Sequence, residues 1–346
     1  TIGSTINGVQ GLRKDGTGAL VLNAANGYSG NTTINGGTLK FGAAGAISDG
    51  TGDINANGTL DLNGFTSIIR GLYGTGIVTS TGGMLICGTN NVSGTFTGTV
   101  SGTIALTKTG GGTETLLGAN SYSGTTLVNG GFLAAQNNLA LGSSSAVTVG
   151  TNATLRLNNS VTISGVPITI YGVGNDGNGA LSAGNGVDAW NGPITLGEDQ
   201  ARIGAQGGAM LAINGVIDSG ANPYGPAIRS AGAADTVLLN SVGTYAGTTT
   251  VVVGTLKLGG NNRVPTGSTL AIGNAANAGG ARLDLNGFNQ QVPALISLGT
   301  NMEMTVTNSY PAVESVFTVS NDVVNTYTGR INGNITLVKA GAGTLR

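Results

Sequence analysis

Apolar and polar residues alternate along this chain in short runs, and each run ends at glycine, asparagine or aspartate. Typical runs are TGALVLN at residues 17–23, TETLLGA at 113–119 and GTLKFG at 37–42. Alternation with a period of two over roughly 4–6 residues is the pattern of a half-buried β-strand. No stretch of about ten residues carries an apolar stripe at helical spacing. The pattern therefore predicts an all-β protein made of many short strands.

The strands recur in a fixed order, which divides the chain into copies of one repeat. A copy opens with a basic residue and a glycine-rich turn, and an alternating strand follows. An Asn/Gly turn then leads to Tyr-Ser/Ala-Gly, a Thr/Val strand, a Gly-Gly or Val-Gly break and a third strand, and the copy closes on Leu-x-Leu-Asn. We assign copies to residues 12–65, 106–160 and 227–288, with a fourth beginning at 337. The β-like segments without this signature are 66–105, 161–226 and 289–336.

Two all-β architectures can use such a repeat. A sandwich or antiparallel barrel would fold each copy into its own hairpins, and Asn-Gly is a strong hairpin signal. A β-helix would instead wind the strands into stacked coils with Asn and Gly at the corners. The β-helix is favoured because aromatic residues, at 4%, are too few for a sandwich core. Over residues 1–346 we expect one continuous β-solenoid, with about 14–17 coils and a length of about 65–80 Å at the ~4.8 Å strand spacing.

Composition narrows the classes of function. The 39% of apolar residues supply a core, although 64 glycines could otherwise suggest disorder. A net charge of −1 gives no attraction to nucleic acid or acidic lipids, and no apolar run reaches the roughly 18 residues of a membrane helix. Histidine, the commonest general base and metal ligand, is missing. The single cysteine, Cys87, fits a small buried hydrophobe in its alternating apolar setting.

The repeat resembles the autotransporter-associated β-strand repeat of bacterial surface proteins. Residues 14–39 and 108–133 match its Lys-x-Gly-x-Gly opening, Asn-x-Tyr-x-Gly, Thr-x-Ile/Val and Gly-Gly-Thr-Leu nearly position for position. Residues 229–256 match loosely, with Arg229 in place of lysine and VVVG where Asn-Gly-Gly is expected. The resemblance implies a right-handed parallel β-helix outside a bacterial cell. No membrane-anchoring segment follows, so we expect a fragment or a protein exported by another route.

The two ends of the chain share a sequence motif. Residues 326–346 align without gaps on 1–21 with nine identities, and neither end carries a recognisable cap. A solenoid without caps exposes unpaired backbone and apolar core. We expect either an excerpt of a longer repetitive protein or units that stack end to end into a filament. The candidate residues for such an end-to-end interface are Thr1, Ile6, Leu12, Ile331, Leu337 and Leu345.

Candidate chemistry is sparse. The acidic residues are scattered, and the densest group surrounds Trp190, the only tryptophan. It comprises Asp176, Asp188, Glu198, Asp199 and Arg202. An aromatic platform beside carboxylates could hold a sugar ring, so Asp188, Trp190 and Glu198 are candidate glycan-binding residues; a loop anchored by a half-buried indole is the structural alternative. Tyr-Ser-Gly and the opening basic residue are interpreted as corner residues, with the basic side chain in solvent. We predict no catalytic residue, metal or cofactor.

These observations leave three hypotheses for function. The first is an extracellular structural β-solenoid that serves as a segment or subunit of a surface stalk, sheath or filament and associates with itself. The second is an autotransporter-type adhesin passenger that binds glycans or neighbouring cells. The third is a polysaccharide-active β-helix enzyme, which usually needs clustered carboxylates. All three place the chain outside the cell or on its surface.

Overall fold

The computed structural model describes residues 1–232, 234–274, 279–299 and 303–346. These residues contain no α-helix, only strands and one 3-10 turn at Thr89–Asn91. The chain forms two compact units, Thr1–Arg156 and Leu157–Arg346. Each unit is a stack of parallel coils, about 15 turns over the two, which confirms the predicted β-solenoid. Its right-handed sense and its continuity over residues 1–346 stay predictions.

The strands are short, as their alternating runs predict. Those that begin in the first unit are β1 Asn7–Gly8, β2 Leu12–Lys14, β3 Ala19–Leu22, β4 Gly27–Tyr28, β5 Thr32–Ile34, β6 Thr38–Phe41, β7 Ile54–Ala56, β8 Thr59–Asp61, β9 Thr66–Ile68, β10 Leu72–Gly74, β11 Ile77–Ser80, β12 Met84–Cys87, β13 Gly94–Phe96, β14 Thr99–Gly102, β15 Ala105–Lys108, β16 Thr113–Leu116, β17 Thr126–Val128, β18 Gly131–Ala135, β19 Val147–Val149 and β20 Ala153–Leu157.

The second unit has the same kind of strands and one that is longer. They are β21 Thr162–Ile163, β22 Ile168–Ile170, β23 Leu181–Ala183, β24 Val187–Trp190, β25 Ile194–Leu196, β26 Arg202–Ala205, β27 Met210–Ile213, β28 Ile217–Asp218, β29 Ala227–Arg229, β30 Thr236–Leu239, β31 Thr249–Leu258, β32 Leu270–Ile272, β33 Ala281–Asp284, β34 Gln290–Val292, β35 Leu295–Ser297, β36 Met304–Asn308, β37 Ser315–Ser320, β38 Arg330–Gly333 and β39 Ile335–Ala340.

Three parallel sheets form the walls of the first unit. The first wall contains β2, β5, β7, β10, β13, β16 and β18 in that order. The second contains β3, β6, β8, β11 and β14, and the third contains β9, β12, β15, β17 and β19. Strands that are neighbours in space therefore lie one coil apart in sequence, as the β-helix prediction requires.

Ladders of like residues fill the interior. On the second wall Leu39, Leu60, Val78 and Val100 stack in register, 18 to 22 residues apart, and all four are buried. The next position outward carries polar residues, such as Lys40 beside Asp61. Burying one aliphatic side chain contributes about 1.5–3 kcal/mol. A coil of about 20 residues can therefore be stable only when it is stacked on its neighbours.

The Asn-Gly pairs at the ends of copies one and three make tight corners. Asn63 and Asn286 have φ of 48° and 49°, and the glycines that follow have φ of 87° and 83°. Asparagine and glycine tolerate this left-handed conformation better than other residues. Each asparagine also donates through Nδ2 to a carbonyl of the preceding coil, at 2.9 and 3.0 Å. Asn-Gly therefore makes corners here and not hairpins.

The second unit departs from the repeat at one corner. Where VVVG replaces the expected Asn-Gly-Gly, β31 runs on for ten residues and joins two walls, pairing with β32 on one and β33 on the other. Gly254, at φ 89°, provides the bend between them. Coils on the wall containing β31, β33, β36 and β38 are longer than in the first unit, 23 to 27 residues between stacked positions.

Copies one and two begin on different walls of the first unit. Lys14 opens copy one on β2 of the first wall, whereas Lys108 opens copy two on β15 of the third wall. From β7 to β15, that is from the end of copy one to the start of copy two, the strands follow one another as three strands per coil. The second copy is therefore turned by one wall about the solenoid axis relative to the first.

Candidate functional sites

The basic residues that open copies one and two lie inside the solenoid. Lys14 and Lys108 occupy inward positions of their strands and are 7% and 0% exposed. Each Nζ donates to the carbonyl oxygens of residues i+1, i+2 and i+22, at 2.8, 2.8 and 3.0 Å for Lys14 and at 2.6, 2.9 and 3.1 Å for Lys108. The prediction of a solvated corner was therefore wrong for these two lysines. The sequence did contain a signal for burial: in the alternating strand, Leu106 points inward and Thr107 outward, so Lys108 is again an inward position.

Lys339 and Arg229, which open the later copies, adapt this arrangement. Lys339 Nζ donates to the carbonyls of the next two residues and, at 3.3 Å, to Asn321 of the preceding coil. Arg229 Nη1 donates to the Gly177 carbonyl at 3.1 Å, which Arg202 Nη1 also reaches at 3.0 Å. Burial, and then the charge of Arg229, lowers the pKa of Arg202. The basic residue thus binds backbone carbonyls in these copies as well, although Arg229 is half-buried and Lys339 is exposed.

The tyrosine of each Tyr-x-Gly element points inward. Tyr28, Tyr122 and Tyr245 each share a hydrogen bond with the threonine four residues later, at 2.8, 2.8 and 2.7 Å. Burial raises the pKa of Tyr28 to about 12 and raises the pKa values of the other two further. The serines that follow, Ser29 and Ser123, are exposed. The corner interpretation thus fits the serines, while the tyrosines anchor the corner in the core.

Asn26 and Asn120 connect three consecutive coils. In both copies Oδ1 accepts the N–H of the residue 20 positions earlier at 2.7 Å, and Nδ2 donates to the carbonyl 20 positions later at 2.6 Å. Copy three has Gly243 at the equivalent position. The Asn-x-Tyr pair therefore has a structural role, since backbone groups satisfy the asparagine amide and a threonine hydroxyl satisfies the tyrosine.

A buried group of ionisable side chains surrounds the start of copy two. Glu114 lies inside the first wall, where Leu72 N–H donates to its Oε2 at 3.4 Å and Oε1 has no hydrogen-bond partner. Burial raises the pKa of Glu114 to about 8, although Lys108 acts in the opposite direction. Burial also raises the pKa of Cys87 well above its usual value. Cys87 is thus the buried hydrophobe that the sequence predicts, not a reactive thiol.

The residues around Trp190 do not form a surface platform. Trp190 and Asp188 are buried in β24, in register with Ile213 and Leu211 of the next coil. Val161 N–H donates to Asp188 Oδ1 at 2.7 Å, and burial raises the pKa of this carboxyl to about 6. Glu198 follows the next strand, β25, and is partly exposed. A sugar in solution could not stack on Trp190 as it lies here, because the indole is enclosed by the core.

The candidate end residues have mixed exposure. Thr1 and Leu337 are exposed, Leu337 by 44%. Partly exposed are Ile6, Leu12, Ile331 and Leu345. Leu337 pairs in register with the buried Phe317. Its side chain therefore continues an inward ladder.

Two homologous grooves lie on the outside of the solenoid, one in each unit. The copy-one groove, about 480 Å³, is lined by Gly36, Gly37, Thr38, Asn57, Gly58, Thr59, Thr75, Gly76 and Ile77. The copy-three groove, about 600 Å³, is lined by Gly280, Arg282, Glu303, Thr305, Thr307, Arg330 and Asn332. Sequence reasoning missed both, because a groove of this kind is made by residues one coil apart.

In residues 1–232, 234–274, 279–299 and 303–346, no group of three or more Cys, Asp or Glu residues could hold a metal ion. In the same residues no helix has the length and hydropathy needed to cross a membrane.

Comparison with known proteins agrees with the repeat. Residues 12–41 and 106–135 match the family described as passenger-associated-transport-repeat. The whole chain is similar, at 33% identity over 358 aligned positions, to the "Adhesin BmaC autotransporter" of Brucella suis biovar 1 (strain 1330). The chain spans 9% of the length of that relative. No solved structure matches the chain significantly.

Proposed function

Because the chain is an autotransporter passenger-like repeat protein, we propose that it is an adhesive segment of a passenger displayed on a bacterial surface. The observation that carries this proposal is the similarity of the full chain to an adhesin. The fold supports it physically. Inward positions are committed to the core, so the outward position of every strand can vary without cost to stability, and stacked coils present such positions as flat walls.

The proposed role is binding and not catalysis. The two carboxyls with raised pKa values, Glu114 and Asp188, are buried in the core, and neither is among the lining residues of a groove. A general acid must lie within hydrogen-bond reach of its substrate. Adhesion requires only an exposed surface, which the walls supply.

Adhesion can be tested by display. Residues 1–346 fused to an anchored carrier should increase attachment of a non-adherent bacterium to cultured animal cells several-fold over the carrier alone. Removal of the displayed segment by protease should abolish the increase. Attachment equal to that of the carrier alone, with surface display verified by antibody, would contradict the proposal.

A second role, axial self-association as part of a stalk or filament, is favoured by one observation. Exposed Leu337 continues the ladder of buried Phe317. We propose that β39 accepts a further coil of this repeat, supplied by the same polypeptide or by a second copy.

Electron microscopy of the purified chain at rising concentration tests this second role. Threads should form, and Leu337→Glu should prevent them because a carboxylate cannot enter the apolar ladder. Val187→Glu, at a different exposed apolar residue of the second unit, should leave the threads intact. Isolated particles at all concentrations, or equal effects of the two variants, would count against axial association of copies.

A further inference from the structure

The copy-three groove differs from the copy-one groove mainly in charge. Gly37-Thr38 lines the copy-one groove. The equivalent Gly254-Thr255 of copy three lines a small cavity that shares Gly280, Arg282 and Glu303 with the copy-three groove. In copy one the outward ladder that follows Thr38 reads Thr59, Ile77 and Thr99. In copy three the ladder that follows Thr255 reads Arg282, Thr305 and Arg330. The ladder that begins in copy three therefore carries two guanidinium groups, Arg282 and Arg330, where the ladder that begins in copy one has Thr59 and Thr99.

The two arginines are spaced regularly along the groove. Arg282, Thr305 and Arg330 are in register on β33, β36 and β38. Strands in a sheet are about 4.8 Å apart, so the two arginine positions are about 9.6 Å apart along the solenoid axis. Thr305 lies between them, and Thr307 and Asn332 line the same cavity. The groove thus alternates positive charge with hydroxyl and amide groups.

The charge of these arginines is not cancelled by the nearest acidic residue on the same strands. Asp284 is engaged by Lys257 at 3.5 Å, by Ser309 Oγ at 2.6 Å and by two backbone N–H groups. Neither Arg282 nor Arg330 takes part in an ion pair within the part of the chain that the structure describes. Glu303 also lines the groove and has a partner of its own. The three charged lining residues together leave a formal charge of +1.

We propose that the copy-three groove binds an acidic polysaccharide, with Arg282 and Arg330 each holding a carboxylate or sulfate group of the chain. Arginine presents a planar set of donors that matches such anions. Thr305, Thr307 and Asn332 can exchange hydrogen bonds with sugar hydroxyls between the two charges. Among the residues that the structure describes, the lining has no aromatic side chain on which a nucleobase could stack. This ligand class deepens the proposed adhesive function and rests on it for its biological meaning.

Binding to the purified full chain tests the proposal. Heparin probes sulfate recognition, hyaluronan probes carboxylate recognition, and dextran is the neutral control. We expect binding of at least one acidic polymer, weakening as salt is raised, and none of dextran. The variant Arg282→Thr/Arg330→Thr restores the residues of copy one and should weaken binding at least tenfold. Glu303→Gln should strengthen it by a few-fold, because it removes negative charge from the groove.

A second double variant that removes the same number of positive charges distinguishes binding in the groove from attraction by the net charge of the protein. Arg13→Thr/Lys40→Thr removes the same two positive charges from exposed positions in the first unit and should change affinity less than twofold. Both double variants alter exposed side chains, and their circular dichroism spectra should match the parent. Equal weakening by the two double variants, or no binding of either acidic polymer by the parent, would overturn the proposal.

The two levels of inference can fail separately. If displayed segments adhere to cells and Arg282→Thr/Arg330→Thr adheres equally well, the groove is not the adhesive site although the proposed function stands. If the purified chain binds an acidic polymer through the two arginines but displayed segments do not adhere, the groove assignment stands and adhesion is wrong.

Discussion

Copies one and two of the repeat build the same corner with the same polar contacts, although several of their inward residues differ. Both have the lysine that binds three carbonyls, the asparagine that connects three coils and the tyrosine–threonine pair, with distances that agree within about 0.2 Å. They differ at an inward position, which is Leu20 in copy one and Glu114 in copy two. The polar contacts of the lysine, asparagine and tyrosine are therefore common to both copies. The inward position between them can hold either an apolar or a polar side chain when the coil has space for it.

Room for Glu114 comes from the coil before it. Gly94 is its register partner, and a Cβ at Gly94 would lie 2.3 Å from Glu114 Oε2. The carboxyl occupies the space that a side chain at position 94 would fill. Because burial raises its pKa to about 8, it is largely protonated at neutral pH. Copy two thus carries a titratable group in its core that copy one lacks.

The largest expected effect is on the pH dependence of stability and comes from Glu114→Leu, which gives copy two the residue that copy one has at this position. The native carboxyl keeps its proton up to about pH 8, whereas in the unfolded chain it loses the proton near 4.5. The parent should therefore lose a few kcal/mol of stability as pH rises from about 4.5 to 8. Glu114→Leu should remove most of this decline. Urea unfolding at pH 5, 7 and 8.5 measures it.

The control for that experiment is Leu20→Glu. Leu20 is partly exposed, so a carboxylate there can reach water and should titrate with little coupling to folding. A parent stability that is constant between pH 5 and 8.5 would show that Glu114 is ionised in the folded state.

The next largest difference between the two copies is expected in the stability lost on substitution of their lysines by methionine. Lys108→Met leaves three turn carbonyls without their donor in a fully buried site, and we expect a loss of about 3 kcal/mol. Lys14→Met should cost about half as much, because water can reach its site. Hydrogen–deuterium exchange should rise in the turn after each lysine. An increase in stability for Lys108→Met would mean that desolvation of the ammonium outweighs its hydrogen bonds.

Asparagine to alanine substitutions should affect the two copies equally. Asn26→Ala and Asn120→Ala each remove one acceptor and one donor that connect neighbouring coils, with an expected loss of about 2 kcal/mol. The amides of Ile6 and Val100, which lose their acceptors, should exchange faster. Protection of these two amides that is unchanged in the variants would contradict the structural role of the asparagines.

The smallest effect is expected for tyrosine to phenylalanine. Tyr122→Phe should cost about 0.5–1 kcal/mol, because Thr126 keeps a hydrogen bond with Ser144 at 3.0 Å. Tyr28→Phe should cost slightly more, since in the described residues Thr32 Oγ1 has no second side-chain partner. Urea unfolding of both variants beside Tyr245→Phe, whose threonine also bonds a serine, checks the order.

Much of this protein was determined by its sequence alone. The period-two alternation specified short strands, and the recurring phrase specified stacked coils, since a coil of about 20 residues cannot bury its own apolar face. The Asn-Gly corner of Asn63 follows from the conformational freedom of those two residues. The strand alternation also places Lys108 inside, a consequence that the preference of lysine for solvent concealed.

Only the tertiary structure decided which strands lie on the same wall and which residues are in register. The wall on which Lys108 begins depends on the lengths of the coils between the copies, and coil length sets the angular position of every later strand. The burial of Trp190, the space under Gly94 and the alignment of Arg282 with Arg330 each depend on register between residues 20 to 50 positions apart. Local pattern carries no information about register, because register is fixed by the packing of the whole coil.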